Sequence, residues 1–568
     1  MQIRWRFIQA MLIALPWQGA PTPQSGEADP SARAARLSYV AGEVTFQPSG
    51  SSDWSLATLN YSLTSGDRLL ADGGARAELE VGSLSARLTE GADVTISTLD
   101  DHFTQLGLSQ GTLRVSVYQM LPEDSVEVDT PNGAITIMTA GKYRIDVLPN
   151  DRGTLVRTDE GTVEVSGPGI SQQLRAPSTV QLTGVDPIQL SNVARSGPDG
   201  FDQFSADRDR RVATATSSQY VSRDMPGVAD LDQNGRWETD VVYGPVWYPA
   251  RMPLGWAPYR FGHWVWIEPW GWTWVDDAPW GFAPFHYGRW LHARAGWGWV
   301  PGPIVPRPWF APALVTFVDG SGFSVGIGMQ AWFPLGPREP YFPWYHYGDR
   351  YLHRVNATNL RGVADIDAVI RRRGTIDYTN RATGFTAVSG EVFRGGQPVG
   401  RQAVHVRPEE IGRAPVTPHP SVGPDARAAA GGRPTARPHV IPRRPIIRAS
   451  EVPPRPQPGS GVRQPAPRSG GGEQRAAPPQ RGGAGEARPL IVRHVPAQEN
   501  PSFPARQGAM QAHPGRPLEP QQMDNVRAGR PAGPPRDREM PAHPTPPPAK
   551  AQPKPQPKPQ PKSPPRRP

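Results

Sequence analysis

Gly262-His263-Trp264-Val265-Trp266, followed by Trp270-Gly271-Trp272-Thr273-Trp274-Val275, is the stretch on which the reading of this chain turns. Fifteen of the eighteen tryptophans lie between Trp237 and Trp344. A second copy of the unit follows. Trp256-Ala257-Pro258-Tyr259-Arg260-Phe261-Gly262-His263-Trp264 aligns with Phe282-Ala283-Pro284-Phe285-His286-Tyr287-Gly288-Arg289-Trp290, offset by 26 residues. Gly271-Trp272-Thr273-Trp274-Val275 aligns with Gly296-Trp297-Gly298-Trp299-Val300, offset by 25. A period in the twenties marks a repeated supersecondary unit. Because side chains alternate along a strand, Trp-x-Trp places two rings on one face. Tandem β-hairpins with rings meeting across strands are predicted.

Two readings of the rings stand open. In one they close the core, each burying about 150–250 Å². In the other, one face stays wet, and Trp266, Trp272 and Trp297 are candidate platforms for stacking on sugar rings. Polar neighbours carry no firmer signal. Glu268 with Asp276 or Asp277 has the composition of a glycosidase carboxylate pair, but Asp276-Asp277 before Ala278-Pro279 also reads as a turn. His263, His286 and His292 lack the 2- and 4-residue spacing of metal ligands and read as polar rims. Nothing here commits the chain to catalysis or to a cofactor.

Upstream, short runs such as Ala77-Glu78-Leu79-Glu80-Val81, Leu113-Arg114-Val115-Ser116-Val117 and Tyr143-Arg144-Ile145-Asp146-Val147 alternate apolar with polar between glycine turns. That pattern predicts an all-β sandwich, barrel or roll over 36–190. The order of Gly42-Glu43-Val44, Trp54, Leu63-Thr64-Ser65-Gly66-Asp67-Arg68-Leu69, Val126-Glu127-Val128-Asp129-Thr130-Pro131 and Gly161-Thr162-Val163-Glu164-Val165 resembles the FecR domain. The resemblance implies a periplasmic β-domain, some relatives of which relay a signal to an anti-sigma system. This chain shows no anti-sigma segment or transmembrane helix ahead of the domain, so a binding or scaffolding use is expected.

Residues 195–235 read as a helical connector. Phe201 to Val212 is rich in Asp and Arg, with Asp207, Arg210 and Arg211 at helical pair spacing. Asp230-Leu231-Asp232-Gln233-Asn234-Gly235 then opens like a calcium loop, with Asp230, Asp232 and Asn234 at alternate positions. Val241 stands where the closing bidentate Glu belongs, and a plain Asx turn is the competing reading.

Val246-Trp247-Tyr248-Pro249, Trp280-Gly281-Phe282-Ala283-Pro284-Phe285-His286-Tyr287-Gly288-Arg289-Trp290 and Trp332-Phe333-Pro334-Leu335-Gly336-Pro337 extend a second resemblance. The block 237–400, with the FecR-like part, is similar to an uncharacterised Gram-negative family that joins a FecR domain to a Trp-rich domain of unknown function and a Pro-rich tail. It implies an envelope location and no known catalytic residue.

Composition bounds the rest. There is no cysteine, hence no disulfide or thiolate site. Of the net charge of +9, the segment from Arg401 contributes +17, from 28 Lys+Arg against 11 Asp+Glu; the first 400 residues therefore carry 9 − 17 = −8. That 168-residue segment holds over half of the 70 prolines and a single aromatic, Phe503, so a disordered basic Pro-rich tail is predicted. Arg4 and Arg6 ahead of an apolar run to Trp17 have the layout of a signal peptide ending near residue 20, or by 28. No other segment is apolar enough for a transmembrane helix. The chain thus reads as mainly β: a FecR-like β-domain, one connecting helix, a Trp-rich tandem β-hairpin domain and a tail. The expected location is periplasmic or secreted, with no nucleic-acid partner. The expected partner is peptidoglycan or another envelope glycan held by the Trp-rich repeats, with the basic tail adding electrostatic attachment; the alternatives are a periplasmic regulator or scaffold that binds an envelope protein through the FecR-like domain, and an enzyme acting on a polysaccharide.

Overall fold

A computed structural model describes residues 29–326, 328–360, 366–371, 376–433, 435–438, 447–448 and 490–534. The expected signal peptide, and the disorder expected of 535–568 and most of 439–489, lie outside the described residues. The described chain is mainly β, as the alternation predicts.

Seventeen strands build the first part: β1 Ala35–Ala41, β2 Val44–Gln47, β3 Trp54–Leu56, β4 Ser62–Leu63, β5 Arg68–Ala71, β6 Arg76–Val81, β7 Leu84–Thr89, β8 Asp93–Leu99, β9 Phe103–Val117, β10 Ser125–Thr130, β11 Gly133–Ile137, β12 Gly141–Val147, β13 Thr154–Glu160, β14 Thr162–Gly167, β15 Ile170–Arg175, β16 Ser178–Thr183 and β17 Gln189–Asn192. They form two sheets that share β9. Its first half pairs with β8 and, in parallel, with β10; its second half pairs with β7 and β12. The changeover falls at Gly111, whose φ of +79° suits glycine and whose absent Cβ would lie 2.5 Å from the Ala92 Cα. The first sheet runs β4–β1–β6–β7–β9–β12–β13–β16–β17. Its inner face supplies Leu79, Leu88, Leu113, Val115, Ile145, Val156 and Val180 to the core.

The outer face of that sheet is polar in a specific way. Register places Glu78 opposite Arg87, Arg87 opposite Arg114, Arg114 opposite Arg144, and Arg144 opposite Arg157. Four arginines therefore stand in a row across neighbouring strands, roughly 4.8 Å apart. Like charges directly opposite are destabilising. Helix α1, Gly200–Ala213, supplies the missing carboxylates. Asp202 accepts from Arg114 at 2.8 Å, Arg144 at 3.1 Å and Arg157 at 2.5 Å; Asp209 accepts from Arg87 at 2.6 Å; Asp199 accepts from Arg144 at 2.7 Å. Arg208 and Arg87 both grip Glu78, and these bonds outweigh burial to hold its carboxyl down at about 2. Three of the four buried residues of α1 are Asp202, Ser205 and Asp209, with Phe201 the apolar one. The expected connecting helix is present and its Asp207–Arg210 pair forms. It docks by ion pairing more than by apolar packing.

After helix α2, Val228–Asn234, the Trp-rich part contains β18 Gly235–Asp240, β19 Gly244–Pro249, β20 Gly262–Ile267, β21 Gly271–Asp276, helix α3 Ala283–His286, β22 Arg289–Ala293, β23 Gly296–Val300, β24 Val315–Asp319, β25 Met329–Pro334 and β26 Thr386–Ser389. The two sequence copies are the hairpins β20–β21 and β22–β23. Their aligned glycines, Gly271 and Gly296, both take positive φ at the turn. Aligned residues of the copies also meet: the Tyr259 hydroxyl donates to the Phe285 carbonyl at 2.8 Å, with rings 5.0 Å apart. The copies then diverge. The second joins β18 and β19 through Trp247 opposite Trp299, while β20–β21 stands as a separate two-stranded sheet.

Parts of the segment from Arg401 are ordered against both units, a correction to its expected disorder. Val416–Thr417 pairs with β24, Thr435–Ala436 with β3, and Ile491 with Thr130 of β10. The helices Phe503–Ala512 and Pro520–Arg527 follow. Low hydrophobicity argues for disorder only where no apolar surface is waiting, and here one is.

Because Asp202 is buried among three guanidiniums, Asp202→Asn is expected to cost about 3 kcal/mol in urea unfolding, the range for breaking a buried pair. Asp207→Asn, in an exposed pair on the same helix, should cost at most about 0.5 kcal/mol.

Candidate functional site

An open cleft of about 880 Å³ lies where the arginine row runs out beneath the C-terminal end of α1. Its floor is the polar face of β9 and β12, with Arg114, Ser116 and Lys142; its walls are α1 at Asp209 and Arg210, and the loop carrying Arg223 and Met225. Strand alternation brings Ser116 and Lys142 into opposition, one row beyond Arg114 and Arg144. Tyr118, at the end of the floor, donates to Asp209 at 3.0 Å. Burial, and to a lesser extent the neighbouring Asp209, raises its hydroxyl well above the usual tyrosine range.

The cleft's acids and bases are not equally available. Asp209, Asp159 and Glu80 are turned inward: Asp209 bonds Arg87, Asp159 bonds Arg114, and Glu80 bonds Arg36. Lys142 and Arg195 keep exposed faces while pairing with Glu160 and Asp159. Arg210 is largely exposed, and Arg223 is exposed with no partner among the described residues. The accessible lining is therefore cationic on a body whose first 400 residues carry a net −8.

The sugar-platform candidates are placed otherwise. Trp266 is 3%, Trp272 0% and Trp297 9% exposed, so the expectation of an open face on these rings is corrected. The cause is cover on both sides of the hairpin. On the tryptophan face, Trp264 meets Trp274 and Trp332 at 5.4 Å and Phe317 at 5.5 Å, while Trp272 meets Phe393 at 4.5 Å. The opposite face, His263 and Val265, lies against the chain at Gly432, where a Cβ would sit 3.0 Å from the imidazole. Trp272 Nε1 donates to the Val422 carbonyl of the C-terminal chain at 3.0 Å, and Trp266 Nε1 donates to Glu268 of its own hairpin, which in turn pairs with Arg506 at 2.5 Å.

Glu268 and Asp276 are not a hydrolytic pair. Ile267 opposite Gly271 closes one end of the hairpin ladder and Gly262 opposite Asp276 the other. Five strand steps of about 3.4 Å put them roughly 17 Å apart, against about 5–9.5 Å for glycosidase carboxylates. Asp276 accepts from Trp274 Nε1 and the Ala278 amide, both at 3.0 Å, and its burial pushes its carboxyl well above the usual range. Asp277 is exposed beside it. His263 and His286 are buried, not rim residues, and burial lowers both imidazoles to about 3. His292 is exposed and packs on Trp297 at 4.8 Å.

The calcium reading is also corrected. Asp230, Asp232 and Asn234 lie on α2 rather than on a loop, so alternate residues do not converge on one point. Asp230 pairs with Arg36 and Arg211, at 2.5 and 2.6 Å; Asp232 receives the Thr216 and Ser217 amides; Asn234 Nδ2 donates to the Asp230 carbonyl. The candidate-site residues that sequence reasoning missed are the arginines of the row and Arg223. The available signal was an arginine at the polar position of four separate strands, but only register shows them to be neighbours.

Residues 228–339 contain a DUF6600 domain, described as a family of unknown function, and thus span β18 to β25. No curated protein matches the chain. Two crystal structures of a protein described as an anti-sigma factor from Parabacteroides distasonis match weakly. One has 13% identity and a TM-score of 0.20, covering 22% of this chain and 59% of that one; the other has 12% identity and 0.20, covering 32% and 99%. No described helix is long and apolar enough to cross a membrane.

The buried imidazoles give a pH signature. Each is neutral when folded and takes a proton near 6.5 when unfolded, so its contribution is present above pH 6.5 and is lost as pH falls toward 3. Between pH 6.5 and 4.5, the urea stability of His286→Asn should fall by about 2 kcal/mol less than that of the parent. Parallel falls would contradict this account.

Proposed function

We propose that this is an exported, non-catalytic scaffold of the cell envelope that holds a protein partner on the polar face of its FecR-type β-domain. The Trp-rich unit is its structural hub. The observation that carries this reading is a contrast of surfaces. Trp266 and Trp272 are buried on a hairpin covered on both faces and Trp297 is buried on the second hairpin, whereas the 880 Å³ cleft opens on the β-domain and α1. A recognition site needs an accessible face with polar groups left to bond, and the cleft has both.

Other features support the same reading. The carboxylates with the composition of a glycosidase pair, Glu268 and Asp276, stand at opposite ends of one hairpin. The Arg36 guanidinium, buried in the β-domain, donates to the Pro279 carbonyl at 2.9 Å, and Asn60 bonds the Asp276 and Ala278 carbonyls. These bonds brace the β-domain on the first hairpin, as a scaffold requires. The signal-like N-terminus fits export.

The test is site-resolved capture. A photo-crosslinking residue at Ala213, on the cleft wall, is compared with one at His292, on the second hairpin, in the full chain incubated with envelope extract. Protein adducts at 213 and none at 292 are expected. Isolated peptidoglycan should be retained only through the basic C-terminal segment and released by salt. Glycan adducts at 292 that resist salt would overturn the proposal in favour of the Trp-rich repeats as a glycan reader.

A further inference from the structure

The cleft's lining points to the chemistry of what fills it. We infer that it takes a short carboxylate-rich peptide segment of a partner protein, held by Arg223, Arg210, Arg195 and Lys142; this rests on the protein-binding reading above.

The argument starts from which charges face outward. Side-chain exposure is 34% at Lys142, 49% at Arg195 and 70% at Arg210, and Arg223 is exposed without a partner among the described residues. Of the lining acids, Glu160 alone is comparably open, at 60%, whereas Asp159, Asp209 and Glu80 are at 10–12%, the first two bonded to the arginine row and Glu80 to Arg36. Four outward cations thus meet one outward carboxylate. The existing pairs Lys142–Glu160, Arg195–Asp159 and Arg210–Asp207 are surface pairs, worth little in water and readily exchanged for an incoming carboxylate.

The protein already shows how this face reads carboxylates. Asp199, Asp202 and Asp209, from one acidic segment, satisfy Arg87, Arg114, Arg144 and Arg157 on the same sheet face. A second acidic segment beside α1 would continue that pattern along the next row, onto Lys142 and the arginines of the rim. Guanidinium forks suit carboxylates, bonding them in bidentate geometry. The chain's own C-terminal segment, at +17, is repelled from such a site. A volume of 880 Å³ falls within the range of about 300–1,000 Å³ seen for ligand sites.

The probe is a short Asp/Glu-rich peptide carrying a benzophenone, with its Asn/Gln counterpart as control, added to the full chain. Adducts mapped by mass spectrometry should fall within 116–142 and 206–229. Affinity should weaken with salt and drop at least about tenfold in Arg210→Glu/Arg223→Glu, whose urea midpoint stays that of the parent. Adducts on the basic C-terminal segment alone would overturn the inference. So would equal affinity in the double variant, or equal binding of the neutral peptide. Displacement from the cleft by an anionic polysaccharide of matched charge would overturn the assignment to peptide. Protein adducts at 213 with no competition by the acidic peptide would sink this inference and leave the scaffold reading standing. Peptide binding with no protein adduct at 213 would do the reverse.

Discussion

A two-stranded hairpin that is apolar on both faces has to be covered on both faces, and much of this molecule follows from that constraint. β20 and β21 are buried along their whole length. Opposed rings Trp264–Trp274 and Trp266–Trp272 form edge-to-face pairs at 5.4 Å, a geometry the aromatic quadrupole favours. One face is met by β24, β25 and Phe393. The other is met by a stretch of Gly and Ala after residue 425 that has few side chains of its own to bury. Such a segment orders because the surface it covers is already built. Arg506 then seals the tip by neutralising Glu268, a carboxylate that would otherwise be buried alone beside Trp266.

The β-domain solves the opposite problem. Its first sheet carries apolar residues inward and a row of four arginines outward, and no sheet tolerates such a row unaided. α1 answers with three aspartates, so the link between the β-domain and the Trp-rich unit is ionic at its centre. Arg36 extends the same logic: fully buried, it bonds Glu80, Asp230 and Asn60 and reaches the carbonyl of Pro279 across the boundary. The cleft forms where α1 stops short of covering the polar face. The charge left over on this molecule lies exposed beside α1, while the hairpin's aromatic rings are buried.

Much of this was legible in the chain. Period-two alternation with glycine turns marked the strands of 36–190, the Asp/Arg pattern marked α1, and the 25- and 26-residue offsets marked the two hairpins. What was not legible depended on partners distant in sequence. Arg87, Arg114, Arg144 and Arg157 each look like an ordinary polar position, and only register makes them a row. Trp266 and Trp272 could be read as half-wet because the partners that close off their ring nitrogens, Val422 and, through Glu268, Arg506, lie in a segment whose composition says disorder. Asp230, Asp232 and Asn234 matched a calcium loop by spacing, yet Arg36 and Arg211 draw Asp230 into a helix.

The most direct test of this account is acrylamide quenching of tryptophan fluorescence in the full chain, alone and with isolated peptidoglycan. Rings closed on both faces predict a blue-shifted emission, weak quenching and no change when the glycan is added. A red-shifted, readily quenched emission that peptidoglycan protects would show that the aromatic face is open, and would contradict the account.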